Sequence, residues 1–203
     1  MKRRALGFLV SLWAVLTLNF LLPRLLPANT SFEQVVFQGK KDMLAQLAKR
    51  LKAYKQWIPA DWRIVVLLDE DREDCRRLKG DLEEAARDAG FTTKAHPGAR
   101  GQFVVLNRIA VEEMEAWFFG DVAALVAAYP GISPHLASRA AYRDPDAIAG
   151  GTWEALEREL QRAGYYPGGL PKIETARTIA PHMEPPRNTS ASFQCFCSGL
   201  AAL

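Results

Sequence analysis

The chain has 203 residues, 49% of them hydrophobic and 24% charged, which excludes a disordered or fibrous protein and leaves room for one domain, or one domain with a small extension, around a substantial core. Three cysteines (Cys75, Cys195 and Cys197) without a C-x-x-C pair argue against a disulfide framework and a zinc site. The net charge of +3 is uneven: residues 1–60 carry ten Lys/Arg against two Asp/Glu, residues 61–121 nine against fourteen, and the remainder seven against seven. A basic flank beside an acidic centre suits a metal site that handles a phosphate polymer, and it equally suits solvated helix faces.

Lys2-Arg3-Arg4 is followed by eighteen uncharged residues, Ala5–Leu22. Alone, this pattern is that of a signal peptide or signal anchor with its basic end in the cytoplasm. The run is barely long enough to span a bilayer, and Gly7, Ser11, Thr17 and Asn19 weaken it. The other reading makes Leu6–Val10 a first buried strand and the following stretch an apolar helix ending near Pro23. Phe32–Phe37 alternates weakly, as a strand closed by Gly39. Met43, Leu44, Leu47, Leu51 and Tyr54 then form the apolar stripe of an amphipathic helix over Lys41–Lys55, with a basic outer face.

Ile64–Leu68 is an unbroken apolar run of strand length, suited to burial on both faces in a parallel sheet. It delivers Asp69, Glu70, Asp71, Glu73 and Asp74. Ligands of open α/β sheets bind past the carboxyl ends of strands, where Asp69 and Asp71 would share a hard cation such as Mg²⁺. The competing reading is an acidic loop that starts the next helix, Cys75–Ala89.

Phe91–His96 reads as a short strand and Phe103–Leu106 as another buried one. If Asn107–Asp121 is helical, Glu112 and Glu115 share a face and complete the site begun by Asp69 and Asp71. They would otherwise be an exposed acidic face over a Trp117/Phe118 core contact. Further helices are expected over Asp121–Tyr129, over Trp153–Ala163 capped by Thr152, over Lys172–Ala180 led by Pro171, and over Ser192–Leu203. His96, His135 and His182 read as loop residues. The absence of G-x-x-x-x-G-K-[ST], G-x-G-x-x-G and G-x-S-x-G argues against a P-loop NTPase, a dinucleotide enzyme and an α/β-hydrolase.

Several blocks then stand in order: Leu21-Leu-Pro-Arg-Leu-Leu-Pro27, Phe37-Gln-Gly-Lys40, Trp62–Asp71, Leu106-Asn-Arg-Ile-Ala110, Glu112–Asp121, Tyr142-Arg-Asp-Pro-Asp146, Gly150-Gly-Thr-Trp-Glu154 and Lys172–Met183. On these blocks the chain resembles the bacterial DUF4276 family, whose members look like Toprim-type domains, over about residues 21–200. The resemblance implies an α/β fold with a Toprim/Rossmann-like, mostly parallel sheet flanked by helices over residues 1–125, and a helical C-terminal extension over residues 126–203 packed on it. It further implies Mg²⁺ at a D-x-D, here Asp69 and Asp71, and phosphoryl transfer on nucleic acid of the nuclease kind. Glu112 or Glu115 is then the candidate catalytic glutamate, and Lys40, Lys41, Arg72 and Arg108 are candidate phosphate contacts. Toprim enzymes also carry a glutamate after the first strand. Here Phe8-Leu-Val10 runs into Ser11, so that segment has diverged or its reading frame is disturbed. Two alternatives follow. One is an inactive Toprim-like partner of an ATPase from a defence or mobile-element system. The other is a protein anchored in the membrane through residues 5–22. A cytoplasmic location is the expectation.

Overall fold

A strand that is apolar at every position from Ile64 to Leu68 must be covered on both faces, and the fold is built to do so. A computed structural model describes the backbone of residues 3–9 and 12–203, and side chains from residue 14 onward. In chain order the elements are β1 (Arg3–Leu9), α1 (Leu12–Leu25), β2 (Thr30–Val36), α2 (Lys40–Trp57), β3 (Trp62–Asp69), α3 (Cys75–Asp88), β4 (Val105–Ala110), α4 (Ala116–Phe119), α5 (Val122–Ala128), α6 (Thr152–Arg162), α7 (Lys172–Ile179) and α8 (Ala191–Ala201). Short 3-10 turns lie between α5 and α6 and between α7 and α8.

The sheet order is β2-β1-β3-β4 and every pairing is parallel. Leu6 stands opposite Ile64, and Ile64 opposite Val105, so the expected neighbours flank the central strand. The chain is thus α/β with a parallel sheet between helices. From β1 the chain steps outward to β2, then crosses to the other side of β1 for β3. The carboxyl ends of β1 and β3 therefore form a topological switch point, where such sheets open a crevice.

Ile64, Val66 and Leu68 pack with Met43, Leu47 and Leu51 of α2 and Leu78, Leu82 and Ala86 of α3. Val65, Leu67, Leu106 and Ala110 share the opposite core with α1 and the C-terminal helices. Burying each of the valine, leucine, isoleucine and methionine side chains among them is worth about 1.5–3 kcal/mol.

In α1, Ala14, Leu18, Leu21 and Leu22 are buried in that second core, and the helix lies against α7. Its fourteen residues span roughly 21 Å, short of a hydrocarbon thickness of about 30 Å. No helix among the described residues is long and apolar enough to cross a membrane. The expected helix end near Pro23 falls two residues early, since Pro23 sits inside the last turn. Val10 and Ser11, where the strand end and the missing glutamate were expected, lie outside the described residues.

Two expected elements change shape. Phe91–His96 forms a single bridge, Thr93 with Val105, because Thr93 and His96 bond each other's backbone and turn the chain back. The strand expected at Phe103–Leu106 instead continues through Asn107 and Arg108 to Ala110. Thr152 is the first helical residue of α6 rather than its cap, which is Gly151 at φ 94°.

Candidate functional site at the carboxyl edge of the sheet

β3 ends at Asp69 and β4 at Ala110, and the turns that follow them are clasped together. Glu70 N donates to Ala110 O at 3.0 Å, Asp71 N to Glu112 O at 2.9 Å, and Glu112 N to Glu70 Oε2 at 2.9 Å. The clasp holds Asp71, Arg72 and Glu112 at φ 48°, 65° and 57°, a left-handed backbone costing about 1–2 kcal/mol per non-glycine residue. Such conformations persist where surrounding structure over-determines them, commonly at functional sites.

Lys40, from the first turn of α2, closes the loop from below. Its Nζ lies 2.8 Å from Glu70 O, 3.2 Å from Asp71 Oδ2 and 2.9 Å from Glu73 Oε1. The hydrogen bond from Lys40 holds the Glu73 carboxyl below its usual range. Asp74 is the cap of α3: its carboxylate accepts from Arg76 N and Arg77 N, and these bonds lower its pKa. The acidic run after β3 thus divides, with Asp74 structural and Asp69 turned inward.

Asp69 is half-buried, and its carboxyl is pushed up to about 7 by desolvation, then by Asp71 and Glu113; Lys40 and Lys172 oppose the shift. Glu115 is only 2% exposed. Burial, then Asp69 and Glu113, push it up to about 8 against the pull of Lys172. Its Oε1 accepts no hydrogen bond and lies 3.9 Å from Lys172 Nζ. Glu113 faces the same cluster while its Oε2 accepts from Thr152 Oγ1 at 3.0 Å and Trp153 N at 2.9 Å, so it caps α6 from across the site. Lys172 Nζ in turn sits 4.1 Å from the centre of the Trp153 ring.

The sequence-derived residues therefore separate. Asp69 and Glu115 come together. Asp71 is exposed and ion-paired to Lys40, and its charge raises Asp69. Glu112 and Glu115 do not share a helix face. The left-handed turn at Glu112 delays the helix to Ala116, and Glu112 instead lines a cavity of about 130 Å³ with Asp71, Arg72, Glu113, Gly151 and Glu154. Burial, then Glu70 and Glu113, raise its pKa. Among the described residues, no group of three or more His, Cys, Asp or Glu side chains is placed to hold a metal ion.

Of the basic candidates, Lys41 and Arg72 are exposed. Lys40 is spent on the loop. Arg108 is only 9% exposed and donates to Cys195 O and Asn107 O, which fastens α8 to β4. Glu113 and Lys172 escaped the sequence reading. Glu113 lay unassigned between the two glutamates that a helical face would select, and only the third dimension brings Lys172 to β3.

Fold and site together define a doubly wound α/β protein with a carboxylate cluster at the carboxyl edge of its parallel sheet. The profile of a family described as a domain of unknown function, DUF4276, matches residues 15–201, and the chain belongs to that family. No curated protein and no solved structure matches it.

Proposed function

We propose that this edge is a Toprim-type, Mg²⁺-dependent phosphoryl-transfer site that acts on nucleic acid as a nuclease. The observation that carries the reading is the pair Asp69 and Glu115. Two carboxyls, one from the last residue of β3 and one from the turn that follows β4, are crowded into a poorly solvated site, and one Glu115 oxygen accepts no hydrogen bond. Such crowding favours a shared proton or a hard cation. The donors fit Mg²⁺ in kind, being anionic oxygens; Asp69 and Glu115 would hold it, with Glu113 behind them. A bound Mg²⁺ supplies polarisation of the scissile phosphate and stabilises charge that develops on it.

The remaining roles belong to the chain's own side chains. Lys172, half-exposed beside the cluster, meets the phosphate; Lys41 and Arg72 extend the positive rim. Glu112, in its partly desolvated turn, is the group best placed to accept the proton of the attacking nucleophile. Three free thiols suit a reducing, cytoplasmic setting.

Incubation with single- and double-stranded DNA and RNA, with Mg²⁺ or Mn²⁺, tests the reading. Metal-dependent cleavage should appear and fall by about a hundredfold or more in Asp69→Asn and Glu115→Gln. With Ser11 in place of the glutamate that Toprim enzymes carry, wild-type cleavage should be slow, and Ser11→Glu should raise it. A second reading, an inactive Toprim-like partner of an ATPase, is favoured by that same Ser11 and by the unconverged carboxylates among the described residues. It predicts no cleavage by either the wild type or Ser11→Glu.

A further inference from the structure

A cavity of about 270 Å³ lies along the free edge of β4, between that strand and helices α3 and α8. Cys75, Arg76 and Lys79 line it from α3, Ile109 and Val111 from the β4 side, and Ser192 and Cys195 from α8. None of these residues belongs to the acidic cavity, and the inference does not rest on the nuclease reading.

The charges around the cavity are mostly of one sign. Arg108 lines it, is 9% exposed, and makes no ion pair with a carboxylate among the described residues; its bonds go to the carbonyls of Cys195 and Asn107. A buried guanidinium that meets only neutral acceptors is under-compensated. Gly199 leaves it room, since a Cβ there would come within 2.8 Å of Arg108 Nη2. Lys79 and Arg76 add two more cations. Glu83, bonded to Lys79, offsets one of them, and Glu70 reaches Cys75 at the rim. The amide of Asn107 is fully buried and approaches Glu83 without a hydrogen bond of ordinary geometry. The surface that these residues turn into the cavity is mostly carbon, with the cationic groups at its margin.

An added β-strand is disfavoured at this edge. The outward carbonyl of Asn107, which a guest strand would need, is held by Lys79 Nζ at 2.8 Å and Arg108 Nη1 at 2.9 Å. We propose that the cavity binds a small organic anion: a carboxylate or phosphate that meets Arg108, Lys79 and Arg76, carried on an apolar body that covers Ile109 and Val111. Charge-assisted bonds to a planar guanidinium fix such a headgroup, and apolar contact supplies the rest.

The Trp117 indole N–H donates to Ser192 Oγ at 2.9 Å, so its NMR resonance reports on the cavity wall. Full-length protein would be titrated with phenyl phosphate, benzoate and inorganic phosphate. Saturable shifts of that resonance are expected with phenyl phosphate or benzoate, and whichever binds tighter identifies the headgroup. Lys79→Met should weaken binding by about tenfold or more, the worth of one charge-assisted bond. Val111→Trp, which fills the cavity, should abolish it. Arg76→Met, on an exposed position, should weaken it in the same way if Lys79→Met fails to fold. No saturable shift with either aromatic anion overturns the proposal. So does undiminished binding in folded variants, or inorganic phosphate binding as tightly as phenyl phosphate.

Discussion

Glu115 is the residue on which the energetics of the site turn. Burial raises its carboxyl to about 8 and that of Asp69 to about 7, against 4.5 and 3.8 without the fold. Both folded values are raised, so between those limits the native state binds more protons than the unfolded chain. Stability must then fall as pH rises from about 4 through about 8, and level off above that. In the absence of divalent cations, Glu115→Gln should flatten this decline. Relative to wild type it should gain roughly 1–3 kcal/mol between about pH 5 and about pH 8, read from urea melts at the two pH values. An unchanged slope would mean that Glu115 ionises as an ordinary surface acid. The thiols should separate in the same way. Burial pushes Cys197 up to about 11 and, together with Glu70, raises Cys75, whereas Cys195 is exposed. Near neutral pH a disulfide reagent should therefore label Cys195 first and Cys197 last.

Among the elements, α8 is held by polar contacts out of proportion to its length. Asp146 accepts from Ser190 Oγ at 2.7 Å, Ser192 N at 2.8 Å and Ser192 Oγ at 3.0 Å, while Ser190 caps the helix through Phe193 N. Asp146→Ala removes the acceptor of three bonds at the start of α8, one of them from a backbone N–H, and should cost about 2–4 kcal/mol in a denaturant melt. Less than about 0.5 kcal/mol would show that apolar contacts, Trp117 against Phe193 and Phe196 first among them, hold α8 without help from Asp146. The same contrast explains what was legible beforehand. β3, α2 and α3 could be read because one periodicity or one apolar run carries each, and their neighbours only reinforce it. β4 could not be read through to Ala110. Asn107 and Arg108 read as the start of a candidate helix until α3 and α8 bury them and bond their carbonyl or guanidinium. The post-strand turn was missed for a related reason: Glu112 enters the left-handed region because Glu70 and Asp71 bond its backbone, a condition set by a segment about forty residues away. Asp69 was legible as the end of a buried run. Its actual companion, Glu115, was found with the wrong geometry.

At the scale of the whole molecule, two cores share one sheet, and the apolar N-terminal run completes the larger of them. Leu21 is fully buried there. Leu21→Ala should therefore cost about 2–5 kcal/mol of global stability, as a core truncation does; a membrane-anchoring segment would leave the melt unchanged. The helical C-terminal half closes over the same core and brings Lys172 and Trp153 to the carboxyl edge of the sheet, so the site exists only when both halves are folded. The proposed function rests on a divalent cation shared by Asp69 and Glu115 at this edge. Calorimetric titration of Mg²⁺ into the intact protein at about pH 7, in two buffers of different ionisation enthalpy, tests it most directly, because a cation entering between half-protonated carboxyls must displace protons. Saturable binding with net proton release is expected, both lost in Glu115→Gln and in Asp69→Asn. Binding without proton release, or no binding by a folded wild type, would contradict it.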